Sequence, residues 1–180
     1  MKPGWKFITK RAIYSNPPWS SLEGQTYERP DGSQLEYTIS VKNEIVMVFA
    51  VTPDNKALML RQYYFLSDET AWNVVTGFIE DGETPLDAAK KELREEAGAA
   101  AKEFVYLGAA LRGKYSTGEA HMCLAFGAEQ VYEQELDPSE DIETHIISFD
   151  ECKKLLEERK IREIYPELCT YRALAYLGKL

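Results

Sequence analysis

Hydrophobic and polar residues alternate along several stretches of this chain, as half-buried strands require. The clearest alternation lies between residues 27 and 41, with a Pro-Asp-Gly turn at residues 30–32 in its middle, which is typical of a β-hairpin. A continuous apolar run of strand length follows at residues 45–51, a further strand is predicted at residues 57–64, and a short apolar strand at residues 72–75. The first half of the chain is therefore predicted to be rich in strands.

The strongest helix prediction covers residues 85–97. Thr84 is a typical N-cap residue, and Pro85 is tolerated at the first helical position because its missing N–H has no acceptor there. Gly98 stands where a left-handed residue often ends a helix. This segment should therefore be a helix of about three and a half turns.

Two further strands and two further helices are predicted after this segment. The strands lie at about residues 104–112 and 121–132 and are joined by a polar loop. Ser148 and Glu151 have the spacing of a capping box, which predicts a helix to about residue 158, and Pro166 opens a last helix. Strands that precede and follow a central helix predict a mixed α/β (α+β) sandwich.

The chain is expected to consist of two parts. Residues 1–42 form a small N-terminal β-rich unit, and residues 43–180 form the main domain, since 180 residues suffice for one domain with a good core. An isolated hairpin is marginally stable, so the N-terminal unit must pack on the main domain, on a second copy of the chain, or on both.

The net charge and the cysteines indicate which partners and which cellular compartment the chain suits. A net charge of −9 argues against binding to nucleic acid or to anionic membranes, which use basic surfaces. Three cysteines without CxxC spacing indicate small apolar residues in a reducing compartment. No run of 18 apolar residues and no apolar segment near Met1 is present, so a cytoplasmic protein is expected.

The helix at residues 85–97 concentrates the candidate chemistry. At about 100° per residue, Glu92, Glu95 and Glu96 fall on one side, next to an apolar side. Like charges at this spacing repel one another, so a cation should offset them. Oxygen ligands without nearby His or Cys suit Mg²⁺ or Mn²⁺. The same pattern also fits a solvated acidic face that is balanced by neighbouring lysines and Arg94.

The spacing around this helix resembles the Nudix box of the Nudix hydrolase family. The matching residues are Gly77-x5-Glu83-x7-Lys91-Glu92-Leu93-x-Glu95-Glu96-x-Gly98-Ala99. The resemblance implies a Nudix-type α/β/α sandwich with a mixed sheet and an enzyme that hydrolyses a phosphoanhydride. Lys91 departs from the pattern, because family members usually carry an Arg there, whose fork-shaped hydrogen bonds orient the glutamates.

The resemblance also implies roles for individual residues. Glu92 and Glu96 are the first choices as metal ligands, and Glu95 shares that role or acts as the base. The backbone carbonyl of Thr76 is a further ligand, and Glu83 braces the loop or binds metal more distantly. A glutamate at the position of Glu140 reaches the metal centre in similar enzymes, although an acidic loop that only contacts solvent fits the sequence as well.

Outside the box, the chain is similar to the ADP-ribose and nucleotide-sugar pyrophosphatase group. It differs at three places: Tyr64 stands where the group commonly has Arg, Asn73 stands where it has Glu, and the loop Gly113-Lys114-Tyr115-Ser116 stands where many ADP-ribose enzymes have Ser-Pro-Gly-Phe-Ser. Candidate substrate-binding residues are Arg61, Tyr63, Arg112, Lys114 and Tyr115, each of which also fits an ordinary packing or surface role. His121 lies in an apolar strand and is expected to be a core residue.

The resulting functional hypothesis is Mg²⁺-dependent hydrolysis of the diphosphate bond in NDP–X, a nucleoside diphosphate linked to a second group. The expected partners are a nucleotide-type small molecule and, through the N-terminal unit, a second copy of the chain in a homodimer. Two alternatives stay open. One is removal of damaged nucleoside triphosphates, and the other is a non-catalytic nucleotide-binding module of the same fold.

Overall fold

The structure is a computed structural model that describes residues 4–17 and 20–180. Contacts between residues divide the chain into two units. The first contains the described residues of 1–44 together with 110–119, and the second contains residues 45–109 and 120–180. The predicted boundary between residues 42 and 43 lies close to the end of the first segment, and independent folding of the two parts stays a prediction.

The N-terminal unit contains an antiparallel sheet in which each strand pairs with the next. Its strands are β1 (Lys6–Asn16), β2 (Ser20–Glu28) and β3 (Gln34–Val41). The predicted hairpin is confirmed, because β2 and β3 flank a turn in which Asp31 Oδ1 accepts hydrogen bonds from the backbone N–H and the hydroxyl of Ser33.

The second sheet has seven strands within the described residues. They are β4 (Ile45–Val51), β5 (Ala57–Tyr64), β6 (Glu69–Asn73), β7 (Val75–Phe78), β9 (Glu103–Leu111), β10 (Glu119–Phe126) and β12 (Ile142–Ile147). Their order is β12-β5-β4-β10-β9, with β6 on β5 and β7 on β4. The sheet is mixed, because β10 runs parallel to β4 while β5, β7 and β12 pair antiparallel. Two short strands, β8 (Ala99–Ala100) and β11 (Glu129–Gln130), pair separately.

The strand predicted at residues 72–75 differs in the structure. It is replaced by β6 and β7, which are separated at Val74 and pair with different neighbours, β5 and β4. The side-chain oxygen of Asn73 accepts the backbone N–H of Val74 at 2.8 Å, so this N–H is satisfied at the break. Apolar pattern alone does not show such a local side-chain interaction.

The three helices of the described chain are α1 (Pro85–Ala97), α2 (Phe149–Glu157) and α3 (Ile164–Tyr176). The prediction for α1 is confirmed at both ends, and the capping box of α2 is present. The start predicted for α3 is wrong by two residues: Pro166 is the third helical residue, not the first. Proline is tolerated there because N–H groups in the first turn have no intrahelical acceptor.

Helices lie on both faces of the second sheet. Ala89, Leu93 and Ala97 of α1 pack in one buried cluster with Val48 and Leu60 and their same-face neighbours. On the other face, Phe149 of α2 stacks on Phe49 with ring centroids 6.5 Å apart. The predicted mixed α/β sandwich is therefore confirmed, and it explains why all residues of β4 are apolar and buried.

The cysteines match the prediction made from their spacing. Cys123, Cys152 and Cys169 are free and buried. Burial raises the pKa of each thiol to about 12, so the three thiols stay protonated near neutral pH. Among the described residues, no helix has the length and apolar character needed to cross a membrane.

Candidate active site

Both ends of α1 are fixed, which sets the direction of its side chains. The Thr84 hydroxyl oxygen accepts the backbone N–H of Asp87 at 3.2 Å. Gly98 has φ +59° and donates its N–H to the carbonyl of Arg94 at 2.9 Å. A Cβ at residue 98 would lie 2.4 Å from the carbonyl oxygen of Tyr132, so only glycine fits this end without rearrangement.

Glu96 is the most buried of the three α1 glutamates, with an exposed fraction of 5%. Its Oε2 accepts the backbone N–H of Thr76 at 2.7 Å. Burial raises the pKa of Glu96 well above its usual range, and the nearby carboxylates of Glu92, Glu140 and Glu95 add to the rise. The backbone of Thr76, whose carbonyl is a predicted ligand, therefore lies next to Glu96.

Glu92 packs directly against the backbone of Gly77 in β7. A Cβ at residue 77 would lie 1.9 Å from Cδ of Glu92, so glycine is needed for the carboxylate to occupy this place. Burial raises the pKa of Glu92 to about 7, with further contributions from Glu95, Glu140 and Glu83 against the opposing effect of Lys91. Glu92 is thus a half-buried carboxylate near Glu96, and the opposing charge of Lys91 does not cancel the rise of its pKa.

Lys91 and Glu83 hold the acidic loop before α1. The ammonium group of Lys91 donates to Glu80 Oε1 at 2.6 Å, and this hydrogen bond is the main reason why the pKa of Lys91 is raised. Glu83 Oε2 accepts the backbone N–H of Glu80 at 3.1 Å. Lys91 therefore contacts the loop directly, and it acts on Glu92 and Glu95 only through its charge.

Glu140 belongs to a loop that returns to the C-terminal end of α1. Its Oε2 accepts the backbone N–H of Asp137 at 2.9 Å, and its charge helps to raise the pKa of both Glu92 and Glu96. The same loop is tied to the helix by Gln134, whose amide donates to the carbonyl of Glu96 at 2.6 Å. The structure thus brings Glu140 close to the α1 glutamates, as the resemblance implies.

The chemistry of this cluster fits a hard divalent cation. The donors are carboxylate oxygens of a buried side chain, Glu96, and of half-buried Glu92, whose negative charges are costly without a positive partner. Within residues 4–17 and 20–180, no three His, Cys, Asp or Glu side chains already surround a single point as metal ligands do. Glu92, Glu95, Glu96 and Glu140 are the side chains that could hold such an ion.

Comparison with known proteins agrees with this geometry. The family model of the NUDIX domain matches residues 41–168, which is more than half of the chain. The chain belongs to the Nudix family. It is a Nudix hydrolase that retains all three glutamates on the box helix.

Relatives of this Nudix hydrolase extend over most of the chain. An ADP-ribose pyrophosphatase of Bacillus subtilis (strain 168) is 30% identical over 174 residues, covering 96% of this chain and 91% of that protein. A methanol dehydrogenase activator of Bacillus methanolicus is 26% identical and covers 78% of this chain and 77% of its own length. A crystal structure of an ADP compounds hydrolase shares the fold, with a TM-score of 0.81, 18% identity and coverage of 98% and 97%.

The structure does not bring Arg61 and Tyr63 to the Nudix glutamates. Side chains alternate between the two faces of a strand, and Leu58 and Leu60 of β5 face α1. Arg61 and Tyr63 therefore lie on the opposite face, where the Arg61 guanidinium stands over the ring of Trp72 at 5.9 Å. The Tyr63 hydroxyl donates to Asp68 Oδ1 at 2.9 Å.

The residues that share the face of α1 are Gln62, Tyr64 and Asn73. The Asn73 amide donates to Gln62 Oε1 at 3.0 Å and to the Tyr64 hydroxyl oxygen at 2.8 Å. Burial raises the pKa of Tyr64, and the carboxylates of Glu163 and Glu96 add to the rise, so Tyr64 lies near the cluster. Tyr64 and Asn73 are departures from the related group in the sequence, but none of the three is among the candidate substrate contacts predicted from it, although the alternation after Leu60 contains the signal.

Arg112, Lys114 and Tyr115 belong to the N-terminal unit. The Arg112 guanidinium donates to the carbonyl of Asn43 at 2.7 Å. The ring of Tyr115 stacks on Tyr37 at 5.6 Å, and the Lys114 ammonium lies 5.1 Å from the centre of the Tyr115 ring. Lys114 and Tyr115 therefore lie together, while Arg112 is engaged with the backbone at Asn43.

His121 is a core residue of β10, as expected from its apolar surroundings. It is 8% exposed, and its Nδ1 shares a 2.8 Å hydrogen bond with the hydroxyl of Tyr106. A buried imidazole held in this way is part of the packing of the Nudix sheet.

Proposed function

We propose that this Nudix hydrolase cleaves the diphosphate bond of a nucleoside diphosphate linked to a second group, and that it requires Mg²⁺ or Mn²⁺. The observation that carries the proposal is the cluster on α1, in which Glu92 packs against Gly77, buried Glu96 accepts the N–H of Thr76, and both carboxylates have raised pKa values. Retention of all three glutamates distinguishes the chain from a binding module without catalysis.

Glu92 and Glu96 would hold the cation, with Glu95 and the Thr76 carbonyl as further ligands. A divalent cation in this place would neutralise diphosphate charge and lower the pKa of a bound water. The N–H of Thr76 fixes one oxygen of Glu96, which leaves the other oxygen for a ligand role. Glu83 holds the backbone of the loop before the helix.

Proton transfer from the attacking water requires a carboxylate near the ligands. Glu95 and Glu140 are the candidates, because each acts electrostatically on both Glu92 and Glu96. Glu140 lies on a loop that is anchored by backbone hydrogen bonds at Asp137, so its carboxylate has a defined position. Either residue can accept a proton and release it to solvent after the phosphoanhydride bond breaks.

The substrate class follows from the relatives and from the neighbours of the cluster. Over nearly its whole length the chain is similar to a protein named ADP-ribose pyrophosphatase. Gln62, Tyr64 and Asn73 form a neutral hydrogen-bonding group on the face of α1, which suits the hydroxyls of a sugar next to the diphosphate. We therefore propose ADP-ribose or a nucleotide sugar as the substrate class.

The five substrate contacts predicted from the sequence remain proposals, and they fall into two groups. Arg112, Lys114 and Tyr115 belong to the N-terminal unit and would offer two cations and an aromatic ring to an anionic nucleotide. Arg61 and Tyr63 would act only on a part of the substrate that reaches the opposite face of the sheet. We therefore expect weaker effects from substitutions at these two positions.

We also propose that the chain forms a homodimer through its N-terminal unit. All eleven residues of β1 are exposed, and they include Phe7, Ile8, Ile13 and Tyr14. β1 is an edge strand, and exposed apolar edges favour pairing with another chain. Light scattering should give twice the 20.5 kDa mass of one chain, and a fully active monomer would contradict the proposal.

The substrate proposal is tested by chromatography of the reaction products. ADP-ribose, nucleotide sugars, dinucleotides and nucleoside triphosphates are each incubated with enzyme and Mg²⁺. We expect the highest kcat/KM for a diphosphate that joins two bulky groups, with a nucleoside monophosphate and a sugar phosphate as products. Release of inorganic pyrophosphate from a triphosphate as the dominant reaction would replace the proposal with triphosphate removal.

A further inference from the structure

A polar cavity of about 480 Å³ lies between β6 and the link that joins α2 to α3. None of the α1 glutamates lines it. Its walls come from residues 69–71 of β6 and from the link residues Glu158, Arg159, Lys160 and Arg162. Three cations therefore occur within four positions of a chain whose net charge is −9. With Glu69 and Glu158, the walls carry three positive and two negative charges, a small positive balance in a negatively charged chain, and such a place favours an anion.

The link is held in place by the sheet, so its side chains project from a fixed backbone. The N–H of Trp72 in β6 donates to the carbonyl of Lys160 at 3.1 Å, and Trp72 and Ile161 form a parallel β-bridge. Ile161 is only 3% exposed, which anchors the middle of the link. A backbone fixed in this way reduces the entropy that is lost when a ligand binds.

The two acidic residues of the cavity already have positive partners. Glu69 Oε2 accepts from the Arg162 guanidinium at 2.8 Å, and Glu158 pairs with Lys154 at 3.7 Å. In the part of the chain that the structure describes, Arg159 and Lys160 form no ion pair. Arg159 and Lys160 of the cavity wall are thus available to an anion.

The backbone conformation at Arg159 is unusual for its residue type. Arg159 follows the C-cap residue Glu158 of α2 and has φ +55°, in the left-handed region that favours glycine. A cation there also interacts with the negative end of the helix dipole, but this effect needs no cavity. The backbone would be less strained with glycine, so Arg159→Gly removes the side chain without a conformational cost at this position.

We propose that this cavity binds a phosphate-bearing anion through Arg159 and Lys160, and that binding needs no divalent metal. The planar guanidinium donates two parallel hydrogen bonds to phosphate oxygens, and the ammonium adds a point charge. Thr70, which also lines the cavity, offers a hydroxyl donor. The site is independent of the proposed hydrolysis, where an anionic group meets carboxylates and requires a cation.

Isothermal titration of inorganic pyrophosphate into the metal-free protein tests this proposal. Metal is removed with a chelating resin, and ionic strength is kept constant, so the α1 glutamates do not bind the probe. We expect the wild type to bind pyrophosphate, and the double variant Arg159→Gly with Lys160→Gln to bind at least about tenfold more weakly, since charge-assisted hydrogen bonds are lost.

The variants are chosen so that unfolding and net charge are controlled. Arg159→Gly relieves the left-handed backbone, so its melting temperature should not fall, and Lys160→Gln keeps the backbone bond to Trp72. The control variant, Lys90→Gln with Lys153→Gln, removes the same charge from residues that do not line the cavity. It should bind pyrophosphate as the wild type does. No binding by the wild type, or equal weakening in both double variants, would overturn the proposal.

Discussion

The two faces of β5 show how one strand serves two different surroundings. Tyr64 faces α1, where its hydroxyl accepts from the Asn73 amide and lies near the Glu96 carboxylate. Tyr63, the preceding residue, faces the other way, is 42% exposed, and donates to Asp68. Residues that are adjacent in sequence therefore belong to different sites. The side of the sheet, more than the distance along the chain, decides which residues can assist the glutamates.

The largest difference in activity is expected between a carboxylate substitution on the α1 side of the sheet and one on the opposite side. Glu96→Gln keeps the shape of the side chain but removes its charge, so kcat should fall by about 10² or more if a metal ligand or base is lost. Glu143→Gln is the matched control. In the pairing of β12 with β5, Glu143 lies opposite Arg61, so it belongs to the face of the sheet that points away from α1. The kcat of this control should stay within about twofold of the wild type in steady-state assays at saturating Mg²⁺. Equal activity of the two variants would remove the functional distinction between the faces.

The two adjacent tyrosines give a smaller and sharper comparison. Tyr64→Phe breaks the hydrogen bond from Asn73 next to the glutamates and should lower kcat/KM about tenfold, since one buried amide donor loses its partner. Tyr63→Phe loses only an exposed hydrogen bond to Asp68 and should change kcat/KM by less than about twofold. Steady-state kinetics with the best substrate measures both values. A stronger effect at Tyr63 would place the substrate on the opposite face.

The elements around the cluster could be predicted from sequence because they depend on local signals. Thr84, Pro85 and Gly98 act within one turn of α1, and the structure confirms both ends of the helix. The spacing of the glutamates on that helix is likewise a local property. The residues that determine the helix ends and the spacing of the glutamates all lie within about 15 positions of one another.

The features that were not predicted depend on contacts between residues that are distant in sequence. Residues 57–64 are predicted to form one strand, and the packing of Leu60 under α1 shows that Arg61 and Tyr63 face away from the glutamates. The division of residues 72–75 between two strands depends on Asn73 and on pairing with both β5 and β4. Sequence periodicity contains no direct information about such pairings.

The smallest expected effect is a pH dependence of stability on the α1 face. The pKa of Glu92 is about 7 in the folded protein, above its ordinary value of 4.5, so the folded state binds this proton more tightly than the unfolded chain. The resulting stabilisation is present below pH 4.5 and is lost as the pH rises through about 7. Metal-free protein should therefore melt a few degrees lower at pH 8 than at pH 5.5.

Glu92→Gln tests the origin of that pH dependence by thermal melting. The variant has no charge to bury at residue 92, so its melting temperature should fall less between pH 5.5 and pH 8 than that of the wild type. Mg²⁺ should raise the wild-type melting temperature at pH 8 through preferential binding to the folded state. An identical pH dependence in both proteins would show that Glu92 does not cause it.

The central claim, that the α1 glutamates hold a divalent cation, is tested most directly by binding of Mn²⁺ measured with electron paramagnetic resonance. The wild type should bind Mn²⁺, Mg²⁺ should compete for the same site, and Glu92→Gln with Glu96→Gln should weaken binding at least about tenfold. Glu129→Gln with Glu133→Gln, which removes the same charge from exposed residues, should bind normally. Unchanged Mn²⁺ affinity in the Glu92 and Glu96 double variant would contradict the account.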